Sequence, residues 1–195
     1  MIDTSAAPWI ADTSSLGRLG LKGPAAAAWL GHAQVPVPKH ANSWVALAPS
    51  GDTAPVALVA RLGLTEFFIE TDPDSPRLRE LAQALGEGHK HVYPVLRQDR
   101  AIVLGGKDVE EVLAQACNVD FASLALELNP VVLTLMTGVA VVVVPQAAQP
   151  GRRYRIWCDP SFGRCLWDTL RVIVAESGGD ELGVGQLRMT ERGQQ

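Results

Sequence analysis

The chain has 195 residues, 47% of them hydrophobic and 19% charged, with a net charge of −4 at pH 7. That length buries a substantial core as one generous domain or two small lobes, and the charge, with no basic block, gives no case for nucleic acid or an anionic membrane. Three cysteines cannot form a fully paired disulfide framework, which fits a reducing cytosol.

The segment MIDTSAAPWIADTSS has no basic stretch followed by an apolar core, so it is not read as a secretory signal. Residues 1–13 are read as an N-terminal arm, with Trp9 beside Pro8. RLGLKG (18–23) then leads into the helix former PAAAAWL. Gly17, Gly20 and Gly23 make GxxGxxG rather than the dinucleotide fingerprint, so they read as a tight passage from strand to helix. A Pro-rich loop, GHAQVPVPKHANSW (31–44), holds His32 and His40 and ends at Trp44. The strand LTEFFIET (64–71) runs into Asp72-Pro73. Ser75 is a good N-cap before Pro76, and Leu78, Leu81, Ala82 and Leu85 form a helical stripe.

His89 and His91 flank Lys90 in an apparent interlobe linker. A solvated linker is preferred there to a ligand pair, because no carboxylate or cysteine stands at ligand spacing. The strand VYPVL is followed by Arg97-Gln98-Asp99, a solvated turn or an interface contact. AIVLGG (101–106) leads into KDVEEVLAQAC, where Asp108 and Glu111 have capping-box spacing and Val109, Val112, Leu113, Ala116 and Cys117 make the stripe. The run VVLTLMTGVAVVVVP (131–145) is shorter than the roughly 20 residues of a membrane span, and its second half reads as a buried strand. RYRIWC (153–158) is a strand, Asp159 caps, Pro160 follows, and Phe162, Cys165, Leu166, Leu170, Ile173 and Val174 form the last stripe. Cys158 and Cys165 lack a second ligand pair and are read, with Cys117, as structural thiols rather than a metal or redox site. Residues 178–195 form a polar, Gly-rich tail.

The chain repeats itself. The strand–Gly–helix units, at Gly23 and Gly106, are offset by 83 residues, and the strand–Asp-Pro–helix units, at Asp72 and Asp159, by 87. A difference of that size is loop variation. The expectation is an α+β fold of two similar lobes, 14–86 and 90–177, within a domain 14–177. The first copy of the second unit has no cysteine, so Cys158 and Cys165 are not what the unit is for.

Four segments, ADTSSLGRLGLKGPAAAAWL (11–30), RLGLTEFFIET (61–71), VYPVLRQDRAIVLGGKDVEEVLAQAC (92–117) and YRIWCDPSFGRCLWDTL (154–170), resemble in order the gamma subunit of heterotetrameric, bacterial-type sarcosine oxidase. The resemblance implies a fold similar to the folate-binding domains of the glycine-cleavage aminomethyltransferase. It implies a non-catalytic subunit of a cytoplasmic complex that oxidatively demethylates sarcosine, or a related N-methyl amino acid, to glycine. The one-carbon unit would pass to tetrahydrofolate or leave as formaldehyde. Alpha, beta and delta subunits are the implied partners. FAD, FMN, NAD and zinc belong to the assembled complex and none to this chain. The active aminomethyltransferases carry an Asn-Asp pair after the first helix, whereas 31–44 here has no aspartate. The alternatives are a free-standing folate-binding protein or aminomethyltransferase-like enzyme, and an interaction module of another oxidoreductase assembly.

No catalytic, cofactor-binding or metal-binding residue is assigned. A subunit without chemistry must bury surface against its partners, and Trp and Arg are enriched at such centres. Trp9, Trp44, Arg97, Gln98 and Asp99 are therefore the expected interface, with packing against their own lobe as the equal alternative for Trp9 and Trp44, and with Arg152, Arg153 and Arg155 available to partner carboxylates.

Overall fold

The computed structural model describes residues 6–47, 57–148, 151–183 and 185–186. The chain divides into two compact units. An insert unit comprises Ser15–Gln98, and a terminal unit joins Met1–Ser14 to Asp99–Gln195. The chain therefore starts in one unit, builds the other, and returns.

Strand β1 (Pro8–Asp12) belongs to the terminal unit. The insert unit then runs β2 (Gly17–Lys22), α1 (Ala26–His32), β3 (Ser43–Leu47), β4 (Ala57–Arg61), β5 (Glu66–Thr71), α2 (Pro76–Gly86) and β6 (Tyr93–Val95). Its sheet is antiparallel, in the order β3-β4-β5-β2-β6. One face carries Leu21, Val59, Phe67 and Ile69, which meet Ala26 and Leu30 of α1 and Leu78, Leu81 and Leu85 of α2. Helix α2 starts where its sequence says, with the Ser75 hydroxyl accepting from the Leu78 N–H and Pro76 at the first turn. On the other face Arg18 and Glu70, direct cross-strand neighbours, form an ion pair at 2.8 Å with both side chains buried.

The terminal unit continues with β7 (Arg100–Gly106), α3 (Val109–Ala116), β8 (Val132–Met136), β9 (Val139–Ala147), β10 (Arg152–Cys158), α4 (Pro160–Glu176) and β11 (Asp180–Leu182). Its sheet order is β11-β1-β7-β10-β9-β8, with β1 parallel to β11 and the other pairs antiparallel. Helices α3 and α4 close one face over Ile10, Ile102, Leu104, Val141, Val143, Tyr154 and Ile156. The apolar run 131–145 is a hairpin turning on Thr137 and Gly138, both at positive φ (48° and 84°), as a two-residue turn between twisted strands requires.

Five expectations change. The N-terminal arm 1–13 contains a strand, because β1 fills the slot between β7 and β11. The polar tail 178–195 begins with a strand for the same reason, Leu182 being buried beside Ala11. Residues 93–95 belong to the first lobe's sheet and not the second's, since β6 pairs with β2, and the boundary falls at Gln98. Asp108 does not cap α3. Its backbone is left-handed (φ 59°), so the side chain makes no cap bond. The stripe of α4 is rotated from the expected one. Its buried line is Gly163, Leu166, Leu170 and Val174, which leaves Phe162 and Cys165 outside. Gly163 decides this, for a Cβ there would meet the Arg100 Cβ at 2.6 Å, so the helix lies against β7 along its glycine.

Trp9 lies opposite Gly105 and its indole covers that residue and Gly106. A Cβ on Gly105 would stand 2.4 Å from the ring. Gly105→Ala is expected to lower the stability of the chain by about 1–3 kcal/mol through overpacking, measured by urea unfolding. Gly86→Ala, with open space around its Cβ, is the control and stays near wild type.

Candidate partner interface

Titratable groups in a catalytic site converge on a cavity. Several of the described groups make bonds within the chain. The Tyr154 hydroxyl, at the centre of the terminal unit, donates to Glu110 Oε1 at 2.8 Å, and its ring meets Phe121 edge-on at 5.4 Å. Burial first, then the bond to Glu110 and its charge, hold the phenol well above the usual tyrosine range. Arg152 lies 3.9 Å from the same carboxylate and donates to the carbonyls of Phe121 and Leu124, fixing the segment after α3. Arg155 donates to Gln146 Oε1 at 3.0 Å. In the insert unit Arg61 donates to the carbonyls of Pro38, Lys39, Gly63 and Leu64, tying the Pro-rich loop to the β4–β5 turn. Arg77 reaches the Ala33 carbonyl at the end of α1. Among the described residues no group of three or more His, Cys, Asp or Glu could hold a metal ion.

The five expected interface residues fall in different environments. Trp9 is a core residue at 6% exposure, packed with Ala11, Val103 and Leu182. Trp44 lies half-buried on edge strand β3, and its Nε1 is buried without a hydrogen-bond partner among the described residues. The Arg97 stem covers Gly20, and its guanidinium sits 5.2 Å from the Phe68 ring centroid and 2.6 Å from Glu66 Oε1. Gln98 is exposed and Asp99 half-buried. Arg153 and Arg155, expected to face partner carboxylates, are buried within the chain, since alternation along β10 turns them both to one covered face.

The thiols divide two to one. Cys117 and Cys158 are buried, as expected for structural cysteines, and Cys165 is exposed. Burial raises the Cys158 thiol to about 11, with Asp99 and Asp159 adding and Arg100 opposing. The His89 Nε2–H donates to the Ala84 carbonyl and its ring lies against Trp29, and His91 turns the backbone at φ 64° before β6.

Sequence reasoning missed the apolar side chains that the fold leaves in solvent. In the insert unit these are Leu64 on the β4–β5 turn, held there by Arg61, with Tyr93 and Leu96 around β6. In the terminal unit they are Leu128, Leu133 and Leu135, on and before edge strand β8, and Phe162 and Val172 on α4. The signal is faint because VLTLM is apolar at four of five positions, so its letters do not separate a central strand from an edge.

No family model matches the sequence, and no curated protein does. The fold has solved counterparts. A chain of the heterotetrameric sarcosine oxidase from Corynebacterium sp. U-96, in complex with pyrrole 2-carboxylate, superposes with a TM-score of 0.66 at 22% identity, over 89% of this chain and 86% of that one. The glycine cleavage system aminomethyltransferase T from Bartonella henselae gives 0.66 at 15% identity over 86% of this chain. The present chain spans only 46% of that aminomethyltransferase. Likenesses at these identities show a shared α+β fold, and the described residues contain no helix long and apolar enough to cross a membrane.

Two measurements follow from the geometry. Under native conditions at pH 8 a maleimide or iodoacetamide should label Cys165 alone, with Cys117 and Cys158 reacting only on unfolding. Peptide mapping reads this, and a thiol raised from its ordinary 9.0 to about 11 makes the Cys158 thiolate roughly a hundredfold scarcer. Tyr154→Phe should cost about 1 kcal/mol of stability in denaturant unfolding, through loss of the bond to Glu110.

Proposed function

We propose that the chain is the gamma-type, non-catalytic subunit of a sarcosine-oxidase-type complex, in which it supports larger flavin-bearing subunits. One observation carries the reading. The chain superposes on a chain of a heterotetrameric sarcosine oxidase over 89% of its own length and 86% of that chain, which supports a subunit of that kind of assembly. The resemblance of the four sequence segments supports the same assignment, and the order of elements in the two units agrees with the repeat expected from the sequence. Each unit runs strand, helix, three strands, helix, strand, and the order β3-β4-β5-β2-β6 corresponds to β8-β9-β10-β7-β11 with β1 inserted.

The fold's relatives bring tetrahydrofolate into view, and the residues here do not fit it. An amine-bearing folate needs a carboxylate to orient it and accept a proton. The loop after α1 has none between 31 and 44, and the carbonyls of Pro38 and Lys39 are occupied by Arg61. No chemical step is therefore derived through folate. The alpha, beta and delta partners, FAD, FMN, NAD and zinc, and a cytoplasmic location are part of this proposal for the complex.

Tagged chain purified from its own host should bring down flavin-containing partners with sarcosine-dependent oxygen uptake. The same chain purified alone should be colourless and inert. A flavin spectrum in the isolated chain, or folate-dependent methylene transfer by it, would sink the reading.

A further inference from the structure

Strand β8 ends the six-stranded sheet, and its outer edge is open. Natural edges are blunted by charge, proline or a bulge. The opposite edge of this sheet, β11, carries Asp180 and Glu181, and edge strand β6 of the other sheet has Pro94. Val132-Leu133-Thr134-Leu135-Met136 has none of these devices. Leu133 and Leu135 point to one face, 53% and 61% exposed. That face continues inward through Val142 to buried Trp157.

The hairpin fixes which backbone groups are free. A two-residue turn makes Met136 and Val139 the closing hydrogen-bonded pair, so Met136, Thr134 and Val132 bond inward to β9. Leu133 and Leu135 then direct their N–H and C=O groups outward, and no bond to them is seen among the described residues. The strand is also self-complementary. Laid antiparallel to a copy with Thr134 on the two-fold axis, Leu133 meets Leu135 and Val132 meets Met136. The two leucine pairs fall in the hydrogen-bonded positions, so four N–H···O bonds form, and no charge opposes a like charge.

We propose that β8 pairs antiparallel with β8 of a second copy of this chain, in that register, joining two six-stranded sheets about a two-fold axis. This goes beyond the proposed complex. Failure to capture flavoprotein subunits would leave it standing.

The isolated full chain tests it. Sedimentation equilibrium should show a monomer–dimer equilibrium. Hydrogen exchange of the Leu133 and Leu135 amides should slow by about fivefold when the total protomer concentration reaches about ten times the dissociation constant, while the Thr134 amide stays indifferent. Leu133→Lys and Leu135→Glu should each be monomeric with a near-native melting temperature. Mixing them should restore a dimer, since the new ammonium and carboxylate face each other across one pair while the other remains leucine on leucine. A wild-type chain monomeric up to about 1 mM overturns the proposal. So does exchange at both amides independent of concentration, a measurement that needs no variant to fold. A dimer that survives both substitutions, or a mixture that stays monomeric, rejects the interface in this register.

Discussion

The terminal unit depends on one close approach. Trp9 can lie flat on β7 only because Gly105 and Gly106 present bare backbone beneath it. That contact seats β1 against β7, and β1 in turn supplies the edge on which β11 pairs. Without it the unit would lose both a strand and the template for its last strand. Gly106 serves a second purpose at φ 92°, turning the chain out of β7 toward α3 where an L side chain would meet the Ala7 carbonyl. Arg100 reinforces the same join, with an ion pair to Asp12 on β1 at 3.0 Å and its guanidinium 5.1 Å from the Trp167 ring centroid on α4. A strand from the chain's start is thus locked among elements from its second half, and the unit is discontinuous in sequence.

The polar residues tell a consistent story. Buried ionisable groups often mark chemistry, because an active site shifts their proton affinities for a task. Tyr154 and Cys158 are shifted in the direction burial gives, toward the protonated, unreactive form. Arg152, Arg61 and Arg77 donate to backbone carbonyls, and Glu110 accepts from the Tyr154 hydroxyl. Arg18 and Glu70 face one another in the insert unit. Such pairs are costly to break and add little over apolar packing, so their worth lies in fixing register between β2 and β5.

What could be read from the letters was local. Ser75 and Pro76, and Asp159 and Pro160, start α2 and α4 because a cap and a preset φ act within a few residues. The long-range placements were hidden. Nothing near Trp9 says that its platform is Gly105, far downstream, so an aromatic in a polar arm looked like a free surface anchor. The stripe of α4 was misplaced by a related omission. Counting apolar side chains favours Phe162 and Cys165, whereas the line that buries runs through Gly163, whose lack of a side chain is the contact. Arg97 looked displayed for a partner, but its stem fills the space over Gly20 and its charge is met by Glu66.

Glycine and tryptophan thus exchange the roles that composition suggests. The large aromatic at position 9 is drawn into the core by glycines too small to be counted as core-forming. The exposed apolar surface instead includes leucines at turns and edges, Leu64, Leu96, Leu133 and Leu135. Exposed single leucines need no explanation on a globular protein. Two of these four, however, stand two residues apart on an uncharged edge strand whose outward backbone groups have no partner among the described residues. Apolar area and outward-facing backbone groups coincide there, and an added strand would cover both at once. That coincidence separates β8 from the isolated tips at Leu64 and Leu96, where burial against any smooth apolar surface would suffice.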